Sequence, residues 1–230
     1  MAKRKAVKKE IQLKTKRLLI SPMSDEELGQ LIQNTTDEEL RKAYQEMLDG
    51  SVKEPDKRLW YTAWKICLKE NCNMIGDMCF KGPARAHSVE IGYGLKEEYT
   101  GRGYATEAVR ALIDWAFSQE DVYFVEAETA PDNLASKRIL EKLAFKPDGT
   151  GEEGLRFVLE KAESLWMPIY MCFGLSIGLS LGSASDNMSM GMCLGMGIGL
   201  CVGAAMDAVN RKNHEKMRME REAGKPVRKQ

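Results

Sequence analysis

The segment Glu98-Tyr99-Thr100-Gly101-Arg102-Gly103-Tyr104-Ala105-Thr106-Glu107-Ala108 stands between a strand-like run ending at Leu95 and an amphipathic helical run. Glycines at 101 and 103 let the backbone bend and present successive amides. The helix that follows turns its positive end on whatever sits there, so the turn suits a phosphate or pyrophosphate. Two glycines alone are equally compatible with a plain loop. The turn itself matches neither G-x-x-x-x-G-K-[ST] nor G-x-G-x-x-G, which sets aside the commoner nucleotide-binding loops for it.

Few other residue types offer chemistry. The only histidines are His87 and His214, and the six cysteines, at 67, 72, 79, 172, 193 and 201, include no C-x-x-C pair. Four soft ligands at close spacing are therefore lacking, and no metal site is expected. The basic residues 1–10 are not followed by an apolar stretch of about 7–15 residues, so reduced cytosolic thiols are expected in place of a secretory signal and a disulfide framework. Cys79 is expected to be a buried structural thiol and not a nucleophile. Met188, Met190, Met192 and Cys193 have copper(I) ligand chemistry, but residues two apart on a helix do not share a face, and they read as apolar filler.

The elements that would position the turn follow from periodicity. Residues 11–20 alternate as a strand. Ser24 with Glu27, and Thr36 with Glu39, match the capping box and open two helices, the second stopping at Gly50. Strands are expected over 59–68, 74–80 and 89–95. A helix over 103–118 carries Ala105, Ala108, Val109, Leu112, Ile113, Ala116 and Phe117 on one face. A strand over 122–129, a helix over 133–143 and a strand over 155–161 complete the order β-α-α-β-β-β-α-β-α-β. That is a mixed α/β domain of about 160 residues, long enough for a single core.

In this context the turn becomes specific. Residues 90–95 (EIGYGL), 97–109 (EEYTGRGYATEAV) and 133–145 (NLASKRILEKLAF) occur in order, after Thr15-Lys-Arg-Leu-Leu19. Together they resemble the GNAT acyl-CoA-dependent N-acetyltransferases, in particular the branch that includes ribosomal-protein N-terminal acetyltransferases. The resemblance covers residues 11–162 and implies an α+β fold, a mixed and centrally splayed β-sheet flanked by helices. Glu98 departs from the family's usual Gln or Arg, and Ala144 from its usual Gly. Both places are scaffold-like, so altered CoA affinity and not lost binding is expected.

The resemblance also implies acetyl-CoA as cosubstrate. The amides of Gly101, Arg102, Gly103, Tyr104 and Ala105 would hold the pyrophosphate, and Arg102 would either add positive charge there or remain a solvated loop arginine. Leu95 and nearby backbone would bind the pantetheine arm like an added strand, with Asn133 and Ser136 near the acetyl thioester. The implied reaction is attack of a neutral amine on the thioester carbonyl, which needs a proton removed from an ammonium and an oxyanion stabilised. Glu90, on the strand beside the motif, is the first candidate base, acting through water. Glu126 and Glu128 on the neighbouring strand are alternatives, and each is equally readable as a solvated carboxylate. Ser136 would protonate the leaving thiolate or merely cap its helix. The acceptor is a primary amine: a protein amino terminus, an amino sugar or another small amine.

With 34 Lys+Arg and 34 Asp+Glu the chain is formally neutral. Its average composition argues against a disordered chain, a basic nucleic-acid binder and a collagen-like repeat. The zero is nevertheless a sum of unlike parts: +7 over residues 1–20, −10 over 21–163, −1 over 164–206 and +4 over 207–230. The acidic middle favours a cationic acceptor. Between 164 and 206 the only charge is Asp186, and the stretches 164–185 and 187–206 are each long enough to span a bilayer as a helix. Gly174, Gly178 and Gly182, then Gly191, Gly195, Gly199 and Gly203, recur at every fourth position, a small-residue face that lets helices approach within lipid. Buried in a soluble protein, each glycine would instead cost up to about 1 kcal/mol against alanine.

The expected organisation is a basic arm over 1–10, an acetyltransferase domain over 11–162, a glycine-zipper transmembrane hairpin over 163–206 and a basic tail over 207–230. Basic residues flank the hairpin and are absent from its tip. By the positive-inside rule, domain and tail then face the cytoplasm at the cell membrane. Lipid is an expected partner, the basic ends either touching anionic headgroups or staying solvated. The glycine faces would pair within one chain or between chains of a homo-oligomer. The function expected is acetyl-CoA-dependent N-acetyl transfer at a membrane. The alternative is an acyl-CoA-binding sensor or scaffold that does not turn over.

Overall fold

The computed structural model describes residues 11–163 and 165–224; the basic arm 1–10 and the end of the basic tail lie outside them. The chain divides into two units, Met1–Glu160 and Lys161–Gln230.

In the first unit the segment expected as one strand is a hairpin of β1 (Leu13–Lys14) and β2 (Leu18–Pro22). Thr15 makes the turn, its Oγ1 accepting the Leu18 N–H at 2.9 Å. Helix α1 (Asp25–Asn34) opens with the Ser24–Glu27 capping box. Helix α2 (Glu38–Lys53) is capped by Asp37, not Thr36: the Asp37 carboxylate accepts from the Glu39 and Leu40 amides, and a full negative charge suits the positive helix end better than a hydroxyl. Gly50 does not stop α2. It lies inside the helix, where an added Cβ would meet the Tyr61 ring at 2.6 Å, so its smallness serves packing. Residues 59–63 are not strand either. Pro55 starts a turn that leads into the short helix α3 (Arg58–Tyr61), and only then does β3 (Trp64–Leu68) begin.

The remaining elements are β4 (Met74–Phe80), β5 (Ser88–Leu95), α4 (Tyr104–Phe117), β6 (Phe124–Thr129), α5 (Leu134–Lys142), β7 (Lys146–Thr150) and β8 (Leu155–Glu160). Strand β7 is missing from the periodicity because its sequence, KPDGT, is polar and proline-bearing, as an edge strand allows. The eight strands run β1-β2-β3-β4-β5-β6-β8-β7. All neighbours are antiparallel except β5 and β6, which run parallel. That pair is held only at Ser88–Phe124, Val89–Val125 and Glu90–Glu126. Strand β5 stays with β4 to the Leu95–Gly76 pair, so beyond Glu90 it leaves β6 and the sheet splays at its centre.

Side chains alternate across the strands. One face packs Ile66, Met78, Phe80, Val89 and Ile91 against Val109 and Leu112 of α4. The other is roofed by α1 and α2, with Met23, Leu28, Tyr44 and Ala63 buried beneath them.

The second unit pairs α6 (Trp166–Ala184) with α7 (Met188–Gly224). A Cβ at Gly174 would overlap the Gly195 carbonyl, and one at Gly178 the Gly191 carbonyl, so the two glycine faces meet each other, backbone on backbone, within the chain. Asp207 accepts the amides of Trp166 at 2.6 Å and Met167 at 3.1 Å, capping α6 from its partner helix. Nothing breaks α7 where the apolar stretch ends at Met206; it continues unbroken into the basic residues.

Candidate functional site

The glycine turn has the geometry its composition requires. Gly101 and Gly103 both sit in the left-handed region, at φ +72° and +78°, where a side chain is strained. Gly103 is the N-cap of α4 and no side chain caps the first turn, so that turn's amides lack an intrahelical partner. Above Gly101 there is open space. The turn is braced from β1 and β2. Glu107, in the first turn of α4, accepts from Thr15 Oγ1 at 2.6 Å, from the Arg17 amide at 2.8 Å and from Arg17 Nε at 2.7 Å. Burial alone would raise the Glu107 pKa, but these donors outweigh it and hold it below the usual carboxylate range. Arg17 Nη1 also donates to the Arg102 carbonyl at 3.0 Å, and its guanidinium lies 4.3 Å from the Tyr104 ring centroid. The Arg102 side chain reaches outward over Tyr99, at 5.9 Å. Two guanidinium groups therefore stand beside the turn, and Arg17 is the one the motif alone did not mark. Its signal was the Thr15-Lys-Arg run, read only as a strand.

The splay supplies the second half of the site. The Lys81 amide donates to the Glu90 carbonyl, and the Lys96 amide to the Ile75 carbonyl, both at 2.9 Å. Even-numbered peptides of β5 thus face β4. By alternation those of Ile91, Tyr93 and Leu95 face the side from which β6 has departed. Leu95, named for the pantetheine arm, ends this open edge.

Ser136 and Asn133 lie at the start of α5. Asn133 is its N-cap, with Oδ1 accepting the Ser136 amide at 2.9 Å. Ser136 Oγ is 2.7 Å from the Tyr93 hydroxyl, a hydrogen bond that ties α5 to β5. Burial pushes the Tyr93 phenol up despite this bond, so it stays protonated. Tyr93 packs with the α4-facing core, whereas Glu90, one of the alternate residues, is on the opposite face. Ser136 and Glu90 therefore approach β5 from opposite sides.

The three candidate carboxylates differ. Glu90 is raised above the usual range, by burial first, although Lys81 Nζ lies 2.6 Å from its Oε1 and opposes the shift. Lys81 also reaches Glu153 at 2.7 Å. Glu126 accepts from Ser88 Oγ at 2.7 Å. Glu128 is held by Arg156 Nε at 2.8 Å and Nη2 at 2.6 Å and by the Glu153 amide at 2.9 Å. Its side chain is only 3% exposed. Burial would raise its pKa, but the donors prevail and lower it. Such a carboxylate is a poor proton acceptor, and its geometry is that of a brace.

Sequence reading passed over Asp77. It lies on the α1/α2 side of β4, lines a cleft of about 870 Å³ and accepts from Tyr44 Oη at 3.1 Å. Burial raises its pKa against the effect of that bond. The available signal was a lone acid inside the apolar run MIGDMCF. Cys79 lines the same cleft, its thiol pushed up to about 12 by burial. That leaves no thiolate for covalent chemistry. Among the described residues no cluster of three or more metal-ligating side chains occurs.

Comparison with known proteins bears on this geometry. The acetyltransferase (GNAT) domain family matches residues 17–146, a span that runs from Arg17 through the turn to α5. The uncharacterized N-acetyltransferase YjdG of Bacillus subtilis (strain 168) is 37% identical over 86 residues, 37% of this chain and 51% of YjdG; the match thus spans about half of that relative. The ribosomal-protein-S5-alanine acetyltransferase of Vibrio fischeri superposes with a TM-score of 0.54 at 16% identity, over 66% of this chain and 97% of that one. RimL, a ribosomal L7/L12 α-N-protein acetyltransferase in complex with coenzyme A, superposes with a TM-score of 0.53 at 15% identity, over 65% and 98%. At these identities the two structures speak for the fold. With a family match over more than half of its length and the splayed sheet that goes with it, the chain belongs to the GNAT acetyltransferase family.

Proposed function

We propose that this protein is an acetyl-CoA-dependent N-acetyltransferase that acylates a primary amine at the cytoplasmic face of a membrane. The observation that carries the enzymatic reading is the parting of β5 from β6 beside an uncapped helix N-terminus opened by Gly101 and Gly103. These features fit coenzyme A: amides of residues 101–105, with Arg102 and Arg17, for the pyrophosphate, and the open peptides of Ile91, Tyr93 and Leu95 for the pantetheine arm. Bound acetyl-CoA supplies the activated acetyl group. An ammonium and acetyl-CoA yield the N-acetyl amine, free CoA thiol and one proton.

The residues of the chain divide the proton work. Glu90, its proton affinity raised by burial, takes the ammonium proton through water, and Lys81 fixes its position. Ser136, held by Tyr93 and oriented by the Asn133 cap, gives its proton to the departing thiolate and regains one from the nitrogen, which sheds its second proton as the amide forms. Glu126 and Glu128 act at one remove, Glu128 as an Arg156-bound brace of the loop at Glu153.

The membrane reading rests on α6 and α7. Both are long and apolar enough to cross a bilayer by length and composition, and only 17% of each apolar window is buried. Helix α6, with 19 residues, rises about 28 Å, close to a hydrocarbon thickness of about 30 Å. Phe173, Ile177, Leu181 and Ile198 are 60% exposed or more, an outward apolar surface that lipid would cover. Arg211, Lys212, Lys216 and Arg218 follow the span in α7, in keeping with a cytoplasmic end.

The enzymatic reading is tested by thiol release from acetyl-CoA over an amine panel, using purified full-length protein in detergent. Wild type is expected to release thiol, and Gly103→Glu to lose CoA binding through backbone strain and an anion set against the phosphates. Saturable CoA binding without thiol release on any amine would leave a binding module in place of an enzyme. Unchanged acetyl-CoA affinity in Gly103→Glu would move the CoA site elsewhere.

A further inference from the structure

The cleft between α2 and the β4–β5 face is built differently from the CoA side. Its floor is the paired register Asp77–Gly94 and Cys79–Gly92. Above Gly94 an added Cβ would meet nothing within 4 Å, and above Gly92 only Cys79 Sγ, at 3.3 Å. The two glycines thus strip β5 of side chains on this face and leave the Asp77 carboxylate at the bottom of open space. One wall is a stripe of α2, with Leu40, Tyr44 and Met47 at helical spacings of four and three. Met74 and Leu31 extend the apolar lining. Leu40 is 45% exposed at the rim, a large apolar residue facing solvent. The volume falls within the range of about 300–1,000 Å³ typical of small-molecule sites.

Asp77 is the anomaly in this lining. Its side chain has a neutral partner, the Tyr44 hydroxyl, and among the described residues it forms no ion pair. The cation opposite it across the β3–β4 register, Lys65, is turned onto Glu27. Lys81, also on the lining, is taken by Glu90 and Glu153. A half-buried carboxylate lacking a counter-charge is costly unless something positive completes it. The same half of β5, Gly92 to Leu95, floors this cleft on one face and edges the splay, so a group seated on Asp77 is next to the gap assigned to the pantetheine arm.

We propose that the acceptor is a primary ammonium carried on an apolar body, with Asp77 as its counter-ion and the Leu40–Tyr44–Met47 stripe as the wall against which the body packs. This rests on the N-acetyltransferase reading and specifies its substrate class. An amino sugar does not match, because its hydroxyls would lie unpaired against leucine and methionine. A polyamine does not match, because its further ammonium groups would lie unpaired against the apolar stripe: Glu153 on the same lining is already held by Lys81, and Glu46 is exposed. The chemistry is shared by hydrophobic monoamines and by peptide amino termini with an apolar first residue.

The test measures binding and turnover separately, on full-length protein in detergent and saturated with CoA. Calorimetry compares 2-phenylethylamine and methionyl-leucine amide with glucosamine and spermidine. At least one of the first two is expected to bind about tenfold or more tightly than either of the last two, the scale of one compensated charge. Binding by the amide alone identifies a peptide terminus as the source, and by the arylalkylamine alone a free amine; either supports the site. Asp77→Asn, with CoA affinity within about twofold of wild type as evidence of folding, is expected to lose that preference, and Tyr44→Phe to keep it. Equal or tighter binding of glucosamine or spermidine, or an unaltered preference in a CoA-binding Asp77→Asn protein, overturns the proposal. Amine binding lost in Asp77→Asn but accompanied by no thiol release in wild type would uphold this site and sink the enzymatic reading.

Discussion

Ala144 shows how one residue can sit against its backbone. It occupies the left-handed region at φ +63°, immediately after α5. The Phe145 amide reaches back to the Leu140 carbonyl at 3.0 Å and the Ala144 amide to Glu141 at 3.0 Å, the bonding that ends a helix on a residue normally glycine. A left-handed alanine costs about 1–2 kcal/mol, partly offset by the greater freedom glycine has when unfolded. Ala144→Gly is therefore expected to stabilise the first unit by roughly 0.5–1 kcal/mol, seen as a higher midpoint in thermal or urea unfolding. An unchanged or lower midpoint would show that α5 does not depend on this cap. The departure from the family pattern at 144 was visible in the sequence, and so was its place just before Phe145, which the structure buries. The positive φ that gives it meaning was not, since nothing in a lone alanine announces its backbone conformation.

At the level of elements, the β1–β2 hairpin and α4 are separated by some 90 residues, share the core through Leu18 and Ile20, and are joined in polar contact through one carboxylate. Glu107 takes donors from Thr15 and Arg17, which hold its carboxyl below the usual range although burial alone would raise it. For an acid depressed in the folded state, the stabilisation is present above the unfolded pKa and lost as pH falls through the folded one. Acid melts from about pH 7 to pH 3 should accordingly show Glu107→Gln to be destabilised near neutrality and to converge on wild type at the acid end. A constant difference across the range would assign the loss to packing instead of charge. The same contact explains what sequence could and could not reveal. Local signals carried through: the Ser24–Glu27 box, the α4 stripe and the strand-like runs of β4 and β5 all depend on neighbours within a few positions. Long-range partners did not. Gly50 reads as a stop until Tyr61 is seen against it, Asp77 carries no assignment until Tyr44 is, and Arg17 belongs to a strand until Glu107 is.

At the level of the whole chain, the Vibrio fischeri acetyltransferase fits 97% of its own length onto 66% of this one. The likeness thus accounts for about two thirds of this chain, a share close to that of the first unit, and α6 and α7 form the second. Their outward side chains are apolar, their facing glycines bring backbones together, and the continuation of α7 is basic. Two modes of membrane attachment would follow from these parts, and salt separates them. Headgroup contact by Arg211, Lys212, Lys216 and Arg218 is electrostatic and fades as the Debye length shrinks to about 3 Å near 1 M salt. Insertion of two apolar helices does not respond to salt, because water is already excluded from them. The full chain is therefore expected to pellet with membranes, to stay there through a wash at about 1 M salt and to be released by detergent, whereas residues 11–162 should remain in the supernatant throughout. Release by salt alone would reduce α6 and α7 to a surface attachment, and a detergent-free soluble full chain would mean that another protein surface covers them.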